Sequence, residues 1–198
     1  MIAAPAAEAA CGGVQHFWPT HPKRSPPPLA VGDSVMMGAV GPLGRAGFEI
    51  DVRGCRQMSE GLGVLSARRR ASSMPRVVVI ALGYNSTIST AEVRRALRIL
   101  GTHRVLGMVT PRGPMSSTRA AIATAARRWP GRVRVLDWAA RSEGKAWTWD
   151  GMHLTASGAR GFARLLNDAH EWPMPGKQAE IEPEQPLDGG PGGGAIAP

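Results

Sequence analysis

The sequence lacks several features that would assign it to a common class of protein. No apolar run is long enough to span a bilayer, and the first ten residues lack the basic start and apolar stretch of an intact signal peptide. Neither a phosphate-binding loop of the Gly-x-x-x-x-Gly-Lys-Ser/Thr form nor the Gly-x-Ser-x-Gly elbow of the α/β-hydrolases occurs. The five histidines are scattered without the spacing of zinc ligands. We therefore expect neither a metal ion nor another cofactor.

Acidic residues are few, because 15 Asp and Glu stand against 24 Lys and Arg, for a formal net charge of +9. The basic excess lies within residues 29–170. Such a surface attracts polyanions such as nucleic acid, anionic lipid or an anionic cell wall. Arginine side chains that merely coat solvated helices would give the same excess. No zinc finger, aromatic RNA-binding signature or recognition-helix pattern is present, so we expect no specific nucleic-acid partner.

Cysteine is rarer still, with only Cys11 and Cys55. In a reducing compartment the two would be independent thiols, whereas in an oxidising one a single bridge would pin the N-terminal segment to the domain. We favour the bridge, because a segment without hydrophobic periodicity has little other reason to carry a cysteine. The bridge in turn predicts an extracytoplasmic or secreted location.

The two ends of the chain differ in composition from the middle. Residues 1–28 are rich in Ala and Pro, and residues 171–198 are rich in Pro, Gly and Glu. Neither end shows a hydrophobic period, so we interpret them as an N-terminal arm and a flexible tail. The hydrophobic content of 43% suits one globular domain, which we place at residues 29–170.

Strands and helices are predicted to alternate through this domain. The clearest strand is the β-branched run at 77–82, which is continuous as expected for a strand covered on both faces. Further strands are predicted at 29–32, 48–52, 104–109 and 133–136, and helices at 35–45, 58–70, 90–100, 117–129 and 155–170. This alternation predicts an α/β fold, a three-layer α/β/α sandwich around a five-stranded parallel sheet. Active sites of such sheets lie at the carboxyl ends of the strands.

Two short motifs supply the parts of a nucleophilic triad. Ser34 ends a Gly-Asp-Ser motif after the first strand, and Asp150 and His153 belong to an Asp-Gly-Met-His motif before the last helix. A serine hydroxyl needs a base to take its proton, and the base needs a partner that orients it. Taken singly, each residue has an ordinary structural interpretation, such as a helix cap or a half-buried histidine. Taken together in this order, they favour catalysis.

The layout resembles the SGNH hydrolases, also called the GDSL esterase and lipase family. The matching pieces are Gly-Asp-Ser at 32–34, Gly54, Gly-Tyr-Asn at 83–85 and Asp-Gly-Met-His at 150–153. Within the family the chain is most similar to extracytoplasmic domains of cell-wall and polysaccharide O-acetyltransferases, which share phrases such as Gly-Asp-Ser-Val, Leu-Gly-x-Asn, Val-x-Asp-Trp and Asp-Gly-x-His-Leu-Thr. The resemblance implies a flavodoxin-like sandwich.

The resemblance also implies roles for individual residues. Ser34 would be the nucleophile, with His153 as base and Asp150 as its partner. The oxyanion hole would consist of the backbone N–H groups of Ser34 and Gly54 and the side-chain amide of Asn85. Three tryptophans lie close to the last motif, Trp138, Trp147 and Trp149. We expect Trp149 to line the substrate site and the other two to pack in the core.

The function implied is a serine esterase that acts, through an acyl-enzyme, on short acetyl-type esters of a cell-wall or polysaccharide carrier. The expected partner is a small acyl ester or an acylated glycan, alongside contacts of the basic surface with an anionic wall. Two alternatives stay open at this point. The same triad could transfer the acyl group to a sugar hydroxyl, or the fold could serve as a non-catalytic wall-binding domain.

Overall fold

The computed structural model describes residues 11–175, which form an α/β/α sandwich. Its sheet contains six strands in the order β1-β3-β2-β4-β5-β6. The strands are β1 (Gln15–Phe17), β2 (Leu29–Gly32), β3 (Glu49–Val52), β4 (Val77–Ala81), β5 (Val105–Val109) and β6 (Val133–Leu136). Strands β2 to β6 are parallel, which confirms the predicted fold class, and β1 adds an antiparallel edge.

Within the described residues, eight helical segments connect and cover the strands. They are α1 (Ser34–Met37), α2 (Val40–Ala46), α3 (Met58–Arg70), α4 (Thr90–Leu100), α5 (Ser116–Arg128), α6 (Trp138–Arg141), α7 (Ala156–Asn167) and a closing 3₁₀ turn (Asp168–Glu171). No helix within residues 11–175 is both long and apolar enough to cross a membrane. Residues 1–10 of the predicted arm and 176–198 of the predicted tail lie outside the described residues.

Two separate apolar cores, one on each face of the sheet, hold the layers together. One lies between the sheet and helices α1, α2 and α7, and the other between the sheet and helices α3, α4 and α5. Strand β4 is buried at all five positions because both of its faces are covered. This central strand therefore ends in the middle of the sheet edge at which the candidate site forms.

The prediction of five strands was wrong by one, because β1 comes from the segment interpreted as an arm. Its three residues are exposed and show no alternation that could reveal a strand. The strand is held by pairing with β3 and by a hydrogen bond between His16 Nε2 and Oε1 of the buried Glu49, at 2.6 Å. Arg68 of α3 also pairs with Glu49. These partners are distant in sequence, so only tertiary structure creates the strand.

The single helix predicted at 35–45 is in fact two helices, α1 and α2. Pro42 accounts for the break, because its ring lacks an N–H for the carbonyl of Gly38 and would clash with that carbonyl in a continuous helix. The chain instead ends α1 at Met37, with Gly38 as its C-cap, and starts α2 at Val40. The short α1 leaves Ser34 at the start of its own helical turn.

A disulfide joins Cys11 to Cys55, which are 44 residues apart with a Cα–Cα distance of 5.3 Å. The bridge brings the N-terminal segment against the loop after β3. The Cys11 carbonyl oxygen lies so close to Gly54 that a Cβ added there would be only 2.4 Å away. Any residue other than glycine at position 54 would therefore push the bridged segment off the loop.

Reduction of this disulfide is expected to lower the melting temperature. Opening a loop of 44 residues restores chain entropy worth about 4 kcal/mol to the unfolded state, which corresponds to roughly 8–16 °C for a chain of this size. Calorimetry with and without reductant measures the shift. A Cys11→Ser, Cys55→Ser variant is the control, because its melting temperature should not respond to reductant. Equal melting temperatures for oxidised and reduced wild type would contradict the stabilising role.

Candidate active site

Ser34 lies where strand β2 passes into helix α1. The turn is tight, since a Cβ on Gly32 would come within 2.6 Å of the Met36 Cβ. Asp33 caps the helix, and its Oδ1 accepts the backbone N–H of Val35 at 3.0 Å. Ser34 is therefore the first helical residue, half-buried at the carboxyl end of a central strand. Its hydroxyl is not needed as a cap and is available for chemistry.

The three residues of the predicted triad form one hydrogen-bonded line. His153 Nε2 lies 3.1 Å from Ser34 Oγ, across 119 residues of sequence, and His153 Nδ1 lies 2.6 Å from Asp150 Oδ2. The other Asp150 oxygen accepts the backbone N–H groups of Met152 at 2.9 Å and His153 at 2.7 Å. This is the geometry that a serine nucleophile, a base and an orienting carboxylate require.

The Asp150 carboxylate stays ionised at neutral pH. Its hydrogen bond from the His153 ring, together with the two backbone N–H groups, lowers its pKa to about 2. The negative Asp150 oxygen next to Nδ1 keeps the ring proton on that nitrogen. Nε2 is then unprotonated, and its lone pair faces Ser34. The electrostatics thus set the tautomer that a general base needs.

A small hairpin holds Asp150 and His153 in place. Its two arms pair through a bridge between Thr148 and Leu154, and the Trp149 N–H donates to the His153 carbonyl at 3.0 Å. The hairpin packs on helix α7, where glycines at 158 and 161 leave room for Trp147. A Cβ at either position would collide with Trp147, at 1.9 Å from its carbonyl oxygen or 2.6 Å from its ring.

The three tryptophans near the motif occupy different environments. Trp138 is buried and stacks on the half-buried Trp147, with ring centroids 5.6 Å apart. Trp149 is 71% exposed and stacks on the His153 ring, at 5.4 Å and an interplanar angle of 19°. Trp149 therefore contacts the His153 ring, while most of its own side chain is open to solvent.

Two backbone N–H groups near Ser34 are without an acceptor. Among residues 11–175, neither the Ser34 amide nor the Gly54 amide donates a hydrogen bond. Gly54 follows strand β3, the neighbour of β2, so both amides lie at the same edge of the sheet. Free N–H groups at this place match the donors expected of an oxyanion hole.

The Asn85 side chain lies between these two segments. Its Nδ2 donates to Asp33 Oδ2 at 3.3 Å and to the Arg56 carbonyl at 3.4 Å. Both contacts are at the long end of the hydrogen-bond range. A substrate oxygen can therefore replace one of them at little energetic cost, while the other keeps the amide oriented with its nitrogen toward the site.

Sequence reasoning did not identify Arg56 as part of this region. Its guanidinium is fully buried and bonds to the Asp51 side chain at 2.6 Å, the Asp51 carbonyl at 2.6 Å and the Gly32 carbonyl at 3.3 Å. It thereby ties the loop that carries Gly54 to the end of β2. No local signal distinguishes it from the other arginines of the chain.

No group of three or more His, Cys, Asp or Glu side chains converges as metal ligands would within residues 11–175.

Asp33 is the second residue whose role was not anticipated. Burial raises the pKa of its carboxyl to about 6, although the Val35 N–H and the nearby charges of His153 and Arg56 partly oppose the change. The native protein consequently holds this proton more tightly than the unfolded chain does, because an aspartate in an unfolded chain has a pKa of about 4. Unfolding between about pH 4 and 6 releases protons, so stability falls as pH rises through that window.

This coupling predicts a pH-dependent effect of Asp33→Asn, which cannot ionise. From pH 4 to pH 7 the free energy of unfolding of wild type should fall relative to that of the variant by on the order of 3 kcal/mol. Urea unfolding of both proteins across this range gives the difference directly. Because any loss of the Asn85 contact in the variant is a constant offset, only the slope matters. A difference that does not change with pH would contradict the raised pKa.

No protein-family model matches the chain. In sequence it is 30% identical over 144 residues to the peptidoglycan O-acetyltransferase OatA of Listeria monocytogenes serovar 1/2a, a match that covers 70% of this chain. The chain spans only 23% of the length of that relative.

In structure the chain is similar to the C-terminal catalytic domain of the Streptococcus pneumoniae peptidoglycan O-acetyltransferase A, solved with a methylsulfonyl adduct. The TM-score is 0.65 at 19% sequence identity, and the alignment covers 76% of this chain and 98% of that domain. The two likenesses confirm the resemblance to SGNH-type O-acetyltransferase domains, the second of them for the fold alone.

Proposed function

We propose that this chain is a serine-dependent esterase that removes acetyl-type groups from a cell-wall glycan through an acyl-enzyme. The observation that carries the proposal is the continuous line of hydrogen bonds from Ser34 through His153 to Asp150. The Listeria relative is a peptidoglycan O-acetyltransferase, which supports an acetylated wall glycan as the substrate. The disulfide supports an extracytoplasmic location, since such bonds persist in oxidising compartments.

The reaction begins when Ser34 Oγ attacks the ester carbonyl carbon while His153 Nε2 takes the hydroxyl proton. Asp150 stabilises the imidazolium that forms. The tetrahedral intermediate then collapses, the bond to the sugar oxygen breaks, and His153 returns the proton to that oxygen. The acetyl group is left on Ser34. Water attacks the acyl-enzyme in the same way, which releases acetate and regenerates the serine.

The negative oxygen of the intermediate is stabilised by hydrogen-bond donors. The amides of Ser34 and Gly54 are already free of other acceptors, and Asn85 supplies the third donor by exchanging one of its long contacts. Each such donor is worth roughly 3 kcal/mol in the transition state. The Cys11–Cys55 bridge and Arg56 restrain the loop that must aim the Gly54 amide.

The second candidate is an O-acetyltransferase, which the name of the sequence relative favours. Both reactions share the acyl-enzyme, and they differ only in whether water or a sugar hydroxyl accepts the acetyl group. A non-catalytic wall-binding domain is less well supported, because it has no use for a base that bonds both a serine and an ionised carboxylate.

A serine-reactive phosphonate tests the shared step. Mass spectrometry of the labelled protein should find a single adduct, on Ser34. Acetate release from a chromogenic acetate ester, with and without added glycan oligomers, then separates the two reactions, since a transferase yields acetylated glycan instead of free acetate. Absence of both labelling at Ser34 and ester turnover would refute the enzyme and leave the binding domain.

A further inference from the structure

A polar cleft lies at the same sheet edge as the triad, beyond the carboxyl ends of β5 and β6. Its volume is about 450 Å³, which is within the range of about 300–1,000 Å³ typical of ligand sites. It is lined by small residues and by four charged side chains, those of Arg112, Arg119, Asp137 and Glu143. None of these residues has a part in the chemistry described above.

Arg112 connects this cleft directly to the candidate active site. Its backbone N–H donates to the Tyr84 hydroxyl at 2.7 Å, and its Nη1 donates to Thr148 Oγ1 at 2.7 Å. Tyr84 precedes Asn85 in the chain, and Thr148 precedes Trp149. The cleft is therefore adjacent to the loop that carries the amide donor and to the hairpin that carries the base.

The cleft presents unused hydrogen-bond donors and acceptors together. Arg119 uses only Nη1, for the carbonyls of Pro111 and Gly113. Asp137 uses only Oδ1, which accepts from Thr110 Oγ1 and the Ala140 N–H. Within residues 11–175 the Glu143 carboxylate takes part in neither a hydrogen bond nor an ion pair. Carboxylate oxygens accept and guanidinium groups donate, so both kinds of partner are available to a ligand.

The combination of two guanidinium groups and two carboxylates in the cleft favours some classes of ligand over others. The two carboxylates offset the two guanidinium groups, so the cleft has no net positive charge that would favour a polyanion. An apolar group would cover the Glu143 carboxylate without giving it a hydrogen-bond partner. A neutral ring that carries several hydroxyl and amide groups can satisfy donors and acceptors at once. Trp149 directly follows Thr148 in the chain, and its side chain, which is 71% exposed, offers an apolar surface to a ring of the same glycan.

We propose that the cleft lined by Arg112, Arg119, Asp137 and Glu143 binds a sugar ring of the glycan that neighbours the acetylated one. The proposal rests on the proposed function. It implies that the enzyme recognises a glycan chain of at least two units and not an isolated acetylated sugar. Trp149, which stacks on the His153 ring, would contact the acetylated ring.

The test uses Glu143→Ala, since Glu143 is exposed and bonds to nothing whose loss would disturb the fold. The first readout is equilibrium binding of N-acetylated chitin oligomers and wall-glycan fragments, both without O-acetyl groups, by the full chain with Ser34→Ala. Glu143→Ala should weaken this binding about tenfold, which is the loss of about 1.4 kcal/mol. Glu143→Gln, which retains an oxygen acceptor, should recover part of it. Arg127→Ala on the exposed surface of α5 is the matched control and should bind normally.

The second readout is kcat/KM on an acetylated glycan oligomer and on a small chromogenic acetate. Glu143→Ala should reduce the first about tenfold more than the second. If Glu143→Ala changes glycan binding and kcat/KM on both substrates no more than Arg127→Ala does, the subsite is refuted, and the proposed esterase activity is unaffected. If wild type turns over neither ester but still binds glycan through Glu143, the proposed function is refuted and the sugar-binding cleft is retained.

Discussion

Ser34→Ala is expected to lower kcat by roughly 10⁴-fold or more, because removal of the nucleophile leaves only binding and oxyanion stabilisation. The substitution should leave the fold intact. Ser34 is half-buried, and the cap of helix α1 is the side chain of Asp33, so alanine suits the first helical position. The measurement is kcat on a chromogenic acetate, together with the melting temperature of the variant.

His153→Ala should cost nearly as much activity, because the serine and its base act as a unit. Ser157→Ala is a matched control, since that exposed hydroxyl on helix α7 bonds only to Arg160 and should leave kcat unchanged. If either Ser34→Ala or His153→Ala retains a tenth of the wild-type rate, the triad assignment is wrong.

Asn85→Ala is expected to lower kcat by roughly a hundredfold or more with little change in KM. The amide would act mainly on the negative oxygen of the transition state, and loss of one such donor costs roughly 3 kcal/mol. Asn85 is exposed and its two contacts are long, at 3.3 and 3.4 Å, so its removal should cost little stability. Steady-state kinetics at saturating ester separate kcat from KM.

The control for this variant is Asn167→Ala, which removes another surface amide, one that bonds Lys23, at the far end of helix α7. It should change neither kinetic constant. If Asn85→Ala raises KM and spares kcat, Asn85 is a substrate-binding or turn residue. If neither constant changes, the oxyanion hole consists of backbone amides alone.

Local patterns sufficed for several of the helices and strands. Helices α3 and α4 have the predicted bounds, 58–70 and 90–100, and strand β4 differs from its prediction by one residue. An amphipathic or continuously apolar run encodes its own structure, because burial of one face or both follows from side-chain spacing alone. Pro42 shows that a further local signal was present in the sequence, since it marks the break between α1 and α2.

Most residues that the structure brings together at the candidate site were also named from the sequence. Asp150 and His153 are three residues apart, a spacing that allows their contact within one short hairpin. The bond of His153 to Ser34, in contrast, spans 119 residues, and it exists only because strand order brings the carboxyl end of β2 toward the hairpin packed on α7. The buried Arg56 and the raised pKa of Asp33 likewise depend on what surrounds them.

The sequence by itself determined most of the strands and helices, and which residue types are available at the ends of the strands. Only the tertiary structure decided that residues 15–17 form an edge strand, that Cys11 lies against Gly54, and that a polar cleft opens at the same sheet edge as the candidate site. The physical reason is the range of the interactions. Helical and strand periodicity arises between near neighbours in the chain, whereas strand pairing, burial and desolvation depend on groups that the fold alone brings together.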